Sequence, residues 1–169
     1  MTRERMEMTD PYTERIMGLL GDRKAVETLE VSLGRLDGLL ARLTGPTLDR
    51  SYGPDKWTAR QILVHLADVE MVVGFRIRQA LAEDDYTVQA IDPDRWMEHR
   101  QTIDGILAAH AFMAMRRWNL ALISCLEEAD LARPALHPER GPEPVGSMID
   151  MLAGHDLNHL AQLEQIAKG

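Results

Sequence analysis

Trp57 to Ala82 reads WTARQILVHLADVEMVVGFRIRQALA, and this stretch decides how the rest of the chain is read. Thr58 and Gln61 stand at capping-box spacing, in which each side chain satisfies an orphan backbone amide of the other residue. Trp57 and Ile62 are placed as a hydrophobic staple around that box. Behind it Ile62, Leu66, Val69, Val73, Ile77 and Leu81 recur at helical spacing, which predicts one amphipathic helix ending near Ala82. Such a helix is about 37 Å long and suits one side of a bundle.

Upstream, Gly45-Pro46 and Gly53-Pro54 break the pattern, so residues 44–56 are expected to be a loop. Before that loop, Val26, Leu29, Leu33, Leu36, Leu40 and Leu43 alternate spacings of three and four over Asp22 to Leu43, a heptad-like seam. Gly34 and Gly38 sit beside the seam, and since glycine weakens a helix by about 1 kcal/mol, they suggest a close approach of another helix or a ligand. Asp10 and Pro11 signal the start of a short lead-in helix that ends near Gly21.

Downstream, a third helix is expected from about Thr102 to Ala129, with Leu107, Ala111, Trp118, Leu122 and Cys125 as its inward stripe. Ile103, Ile106, Met113 and Leu120 widen its apolar surface beyond one bundle contact, which suggests a dimer face. The segment between the second and third helices, with a short helix around Asp94 to His99, is too long for an antiparallel turn. It therefore implies a crossover between parallel helices. Pro134, Pro138, Pro142 and Pro144 forbid a helix and leave a semi-rigid connection. A fourth helix, capped by Ser147 with Asp150 and striped by Met148, Leu152, Leu163 and Ile166, runs nearly to the C-terminus. The expectation is a single-domain, all-α four-helix bundle over residues 1–169.

Composition agrees. Apolar residues make up 45% but aromatics only 5%, with unbranched side chains dominant, which favours helix over strand. The net charge of −8 repels phosphate backbones and anionic lipid surfaces, so neither nucleic acid nor membrane is an expected partner. The single cysteine, Cys125, allows no internal disulfide and reads as a small core residue. With no apolar leader or span visible in the sequence, the cytoplasm is the expected compartment.

Histidines carry the chemistry. On a helical wheel His155 and His159 fall on the side of Leu152, Met148 and Ile166, one turn apart, where an i, i+4 pair can chelate one ion. His65, at the margin of the second helix's stripe, can look toward a facing helix. A lone buried histidine is more often a hydrogen-bonded core residue than a ligand. Two adjacent imidazoles on an apolar face are different, because few polar neighbours are available and a shared cation satisfies both. His99 and His137 read as solvated loop residues, and His110 shares a face with Arg117 and Ser124. Asp68 and Asp156 are candidate helpers, as ligands or as groups that orient the ligands. Arg76, near His65 on the wheel, and Arg117 are candidate carboxylate binders, although an ion pair at a helix edge is the simpler role for each.

The segments Trp57 to Asp68 and Gly154 to Leu163 resemble the second- and fourth-helix motifs of the DinB-like metal-binding bundle family, and both keep the family's histidine positions. The resemblance implies up-down-down-up order, a His65, His155, His159 site for Zn²⁺ or Ni²⁺ completed by water, and frequent homodimers. It also implies chemistry on small molecules. Members include transferases and isomerases that use a low-molecular-weight thiol such as bacillithiol or mycothiol. Two function classes follow: a metal-dependent thiol S-transferase or related hydrolase, and a non-enzymatic metal-binding or stress-related dimer. A solvent-reachable cavity at an open metal position separates the first from the second.

Overall fold

A computed structural model of the chain describes residues 11–99 and 102–169. The elements in chain order are α1 (Pro11–Leu20), α2 (Ala25–Leu40), a 3₁₀ turn (Gly45–Asp49), α3 (Ala59–Ala82) and α4 (Pro93–Glu98). They continue with α5 (Gly105–Ile123), α6 (Glu128–Leu131), β1 (Pro134–His137), β2 (Gly141–Pro144) and α7 (Val145–Lys168). Pro11 opens α1 as expected, while Asp10 lies outside the described residues. No helix among the described residues is long and apolar enough to cross a membrane.

α3 starts where its box requires. The Gln61 amide donates to the Thr58 hydroxyl and the Thr58 amide donates to Gln61 Oε1. Two core clusters then fix the helix directions. At one pole Leu39 and Leu43 pack with Ile62, Leu63, Phe112, Leu163 and Ile166. At the other, Leu29 packs with Ile77, Ala80, Ile123, Ile149 and Leu152. Thus α2 and α7 run one way and α3 and α5 the other, the up-down-down-up order, with residues 83–104 as the crossover.

Several expectations are corrected. α5 ends at Ile123, and Leu107 and Trp118 lie on its outer face, 64% and 69% exposed. Its buried face is Ala108, Ala109, Phe112, Met113, Arg116, Asn119 and Ile123. Two polar residues hold inward positions there, so the apolar period points the wrong way. Cys125 is exposed rather than in the core. α7 begins at Val145 without a side-chain cap, two residues before Ser147. The proline-rich connection contains a β-hairpin, with Pro134 opposite Pro144 and His137 opposite Gly141. Prolines are tolerated because Pro134 opens β1 and Pro142 and Pro144 stand on β2, the outer strand, and Gly141 takes the left-handed φ of +78°. Backbone hydrogen bonds between Leu136 and residues Tyr86 and Val88 fasten the crossover to the hairpin.

Gly34 and Gly38 meet open space. The close approach is at Gly154 on α7, where an added Cβ would lie 2.2 Å from the Ile16 carbonyl oxygen of α1. Gly154→Ala should therefore cost about 2 kcal/mol, because backbone cannot yield as a side-chain tip can. Urea unfolding followed by circular dichroism checks this, and an unchanged midpoint would contradict the packing.

Candidate metal centre

His65 projects from the first third of α3, while His155 and His159 project from successive turns of α7. The two helices run antiparallel, and this brings the three rings together. One ring nitrogen from each lies within 4.8 Å of the others, and His65 Nε2 is 2.9 Å from His155 Nε2. All three histidines are buried. Trp57 covers the cluster, with its ring centroid 4.7 Å from that of His65 and stacked over His159 at 6.3 Å.

Burial decides the charge of these rings. Desolvation, followed by the neighbouring His159, pushes the His65 pKa down to about 3. Desolvation also brings His159 to about 4, with the Gln162 hydrogen bond opposing, and it holds His155 well below the ordinary histidine range. At neutral pH three uncharged imidazoles therefore meet, each with a nitrogen lone pair. His159 Nδ1 donates to Gln162 Oε1 at 2.8 Å, and Gln162 Nε2 donates to the Tyr52 hydroxyl at 3.3 Å. That chain fixes the His159 proton on Nδ1 and leaves Nε2 bare, as metal ligation requires. His155 Nδ1 is buried with no hydrogen-bond partner among the described residues. Neutral nitrogen donors in this number fit a divalent metal ion.

The same shifts set a pH dependence for the metal-free protein. Each histidine has a folded pKa below its unfolded value near 6.5, so the unfolded chain binds more protons across the window from about 4 to 6.5, and stability falls as pH falls through it. Between pH 7 and 5 His65 alone should remove about 2 kcal/mol, with His159 acting in the same direction. Urea unfolding at the two pH values measures this. Equal stability at both would mean that the rings are solvated.

The acids do not join the cluster. Asp156 lies between the two histidines of α7, but it faces α5. There the fully buried Arg116 donates Nη1 to Asp156 Oδ2, and Nη2 to Asp156 Oδ1 at 3.1 Å and to Glu70 Oε2 at 2.5 Å. Asn119 Nδ2 donates to Glu70 Oε1 at 2.7 Å. Burial opposes the Arg116 charge, but the two carboxylates outweigh it and raise its pKa. The triad ties α3, α5 and α7 together directly behind the histidines. Asp68 is half-buried on α3 and borders neither cavity described next.

A cavity of about 210 Å³ ends on His65 and His155 and is walled by Val69, Val73, Met148, Met151 and Leu152. Arg76 borders it, as its place on the wheel allowed. So does His137, which is buried rather than solvated. The hairpin also brings Arg140 and Glu143, which helical reasoning passed over. The only sequence signal for them was the glycine-containing turn between two short runs at residues 134–144. A second cavity, of about 360 Å³, reaches His65 and His159 from the side of Tyr52, Trp57 and Gln162. Tyr12 of α1 borders both cavities. His99, His110 and Arg117 are exposed, and none of them borders either cavity.

Fold and site together define a helical bundle of the metal-binding kind, with a histidine triad between antiparallel helices. The chain belongs to the DinB superfamily, whose family model matches residues 28–163. It is 29% identical over 127 residues to a protein of Oceanobacillus iheyensis named "Putative metal-dependent hydrolase OB0782", covering 75% of this chain and 74% of that one. A Bacillus mycoides protein with the same description is 27% identical over 148 residues, 85% of this chain and 83% of its own. Among solved structures, YfiT from Bacillus subtilis superposes with a TM-score of 0.78 at 20% identity, over 99% of this chain and 92% of that chain. It is described as "a probable metal-dependent hydrolase with an unusual four-helix bundle topology".

Proposed function

We propose that His65, His155 and His159 hold one divalent ion, Zn²⁺ or Ni²⁺, and that the protein is a metal-dependent enzyme acting on a small molecule. The reaction is hydrolysis, or the counterpart in which a low-molecular-weight thiol takes the place of water. One observation carries this reading: three neutral imidazoles meet at the end of a cavity that a substrate can enter. A non-enzymatic metal store would need no such cavity. The hydrolase names of the relatives favour water as the attacking group, whereas the motif resemblance favours the thiol.

When bound, the ion supplies a Lewis-acidic position at which a water or thiol loses its proton near neutral pH. The chain's own residues supply the setting. Gln162 keeps the His159 proton on Nδ1, Trp57 shields the rings, and Val69, Val73 and Leu152 offer an apolar wall for the substrate's body. Arg76 borders the cavity as a cation for an anionic substrate group. The test is a screen of activated esters, amides and thiol-plus-electrophile pairs with zinc- and nickel-loaded protein. The expected result is turnover that disappears in His159→Ala. Stoichiometric metal with no turnover on any pair would favour the non-enzymatic reading instead.

The homodimer expected from the wide apolar surface of α5 is proposed on the exposed Leu107 and Trp118 rather than on Met113, which is buried, or on Ile106 and Leu120, which pack against the core, and the cytoplasm is kept as the proposed compartment. Sedimentation at micromolar concentration should give twice the 19.1 kDa of the chain, and a monomer would contradict it.

A further inference from the structure

Beside His65 and His155 the cavity carries polar side chains that take no part in holding the ion, Arg76 among them. Arg76 gives one Nη2–H to the Gln89 carbonyl at 2.6 Å. Arg140 gives Nη2–H to Glu143 Oε2 at 2.9 Å, while its Nε–H is buried with no partner among the described residues. His137 Nδ1 accepts the Glu139 backbone N–H at 3.3 Å, so the neutral ring carries its proton on Nε2 and is a donor there. Among the described residues the only carboxylates bordering the cavity are Glu139 and Glu143, and Glu143 is already engaged. Two guanidinium groups and the His137 N–H therefore border this small space, and one buried Arg140 N–H has no acceptor among the described residues. A buried N–H left without an acceptor costs free energy that a ligand oxygen can recover.

We propose that this cavity binds a small monocarboxylate with an apolar body, its carboxylate on Arg76 and Arg140 and its chain against Val69, Val73 and Leu152. The inference rests on the reading of this cavity as the substrate site. A planar guanidinium fork matches a carboxylate in geometry. Glu139 and Glu143 on the same wall penalise a dianionic phosphate more than a monoanion. The cavity, at about 210 Å³, is smaller than the roughly 300–1,000 Å³ of drug-sized pockets, which sets the scale of the ligand. Bound this way, the carboxylate anchors one end of the molecule while the other lies beside the histidines.

The test is calorimetric titration of the metal-free full-length chain with hexanoate, hexan-1-ol and hexyl phosphate. Hexanoate should bind at least about tenfold more tightly than the other two, the scale of a charge-assisted hydrogen bond. Arg76→Gln should weaken hexanoate about tenfold and Arg76→Lys should restore only part of the loss, with circular dichroism unchanged. Arg140→Gln, on the hairpin, provides the same readout if the helix variant fails to fold. Equal binding of hexan-1-ol, tighter binding of hexyl phosphate, or indifference to both arginines would overturn the proposal. If hexanoate binds only zinc-loaded protein and ignores the arginines, the carboxylate sits on the ion. The proposal then falls while the metal reading survives. If hexanoate binds as expected but zinc does not, the metal reading falls and the anion site stands.

Discussion

Arg116→Met should cost the native state about 3 to 5 kcal/mol, a large share of the stability of a domain of this size. Arg116 is fully buried and is the cation shared by Glu70 of α3 and Asp156 of α7. Its removal leaves two carboxylates in the core facing a methionine, and among the described residues only Asn119 still donates to Glu70. Two buried carboxylates without their shared cation carry a desolvation cost that nothing offsets. Unfolding both proteins in urea measures the difference. A loss under about 1 kcal/mol would mean that water already solvates the triad.

The second large effect concerns the ligands. His159→Ala should abolish high-affinity binding of zinc or nickel while leaving the helical content intact. Two remaining imidazoles on an open sphere hold a divalent ion poorly. The fold does not need the ion, because Leu36, Ile62, Leu66, Ile77, Leu152 and Leu163 bury their side chains in clusters that run the length of the bundle. Gln162→Leu provides the scale. It removes the acceptor that orients His159, and should weaken metal by only about 10- to 100-fold. Competition with a chromogenic chelator and circular dichroism read both variants. Full metal content in His159→Ala, or an unfolded protein, would contradict the assignment.

Much of this was legible in the sequence. The capping box fixed the start of α3, and the i, i+4 spacing with an apolar neighbourhood pointed His155 and His159 inward. The long crossover implied parallel α3 and α5. The stripe of α5 failed because apolar period is read as burial. In α5 the inward positions Arg116 and Asn119 are polar because they satisfy Glu70 and Asp156 from two other helices, and that partnership is not visible along one helix. The outward Leu107 and Trp118 then set a false stripe. Gly154 shows the same limit, since its need for hydrogen in place of a side chain comes from the Ile16 carbonyl, 138 positions earlier in the numbering. His137 was misplaced because the hairpin around it is held by the crossover segment rather than by its own strand propensity.

X-ray absorption at the metal edge of protein loaded with one zinc ion tests the central claim most directly. Three imidazole nitrogens at about 2.0 to 2.1 Å and one further light ligand are expected, with the spectrum lost in His159→Ala. A sphere without imidazole scattering, or one unchanged by that substitution, would contradict it.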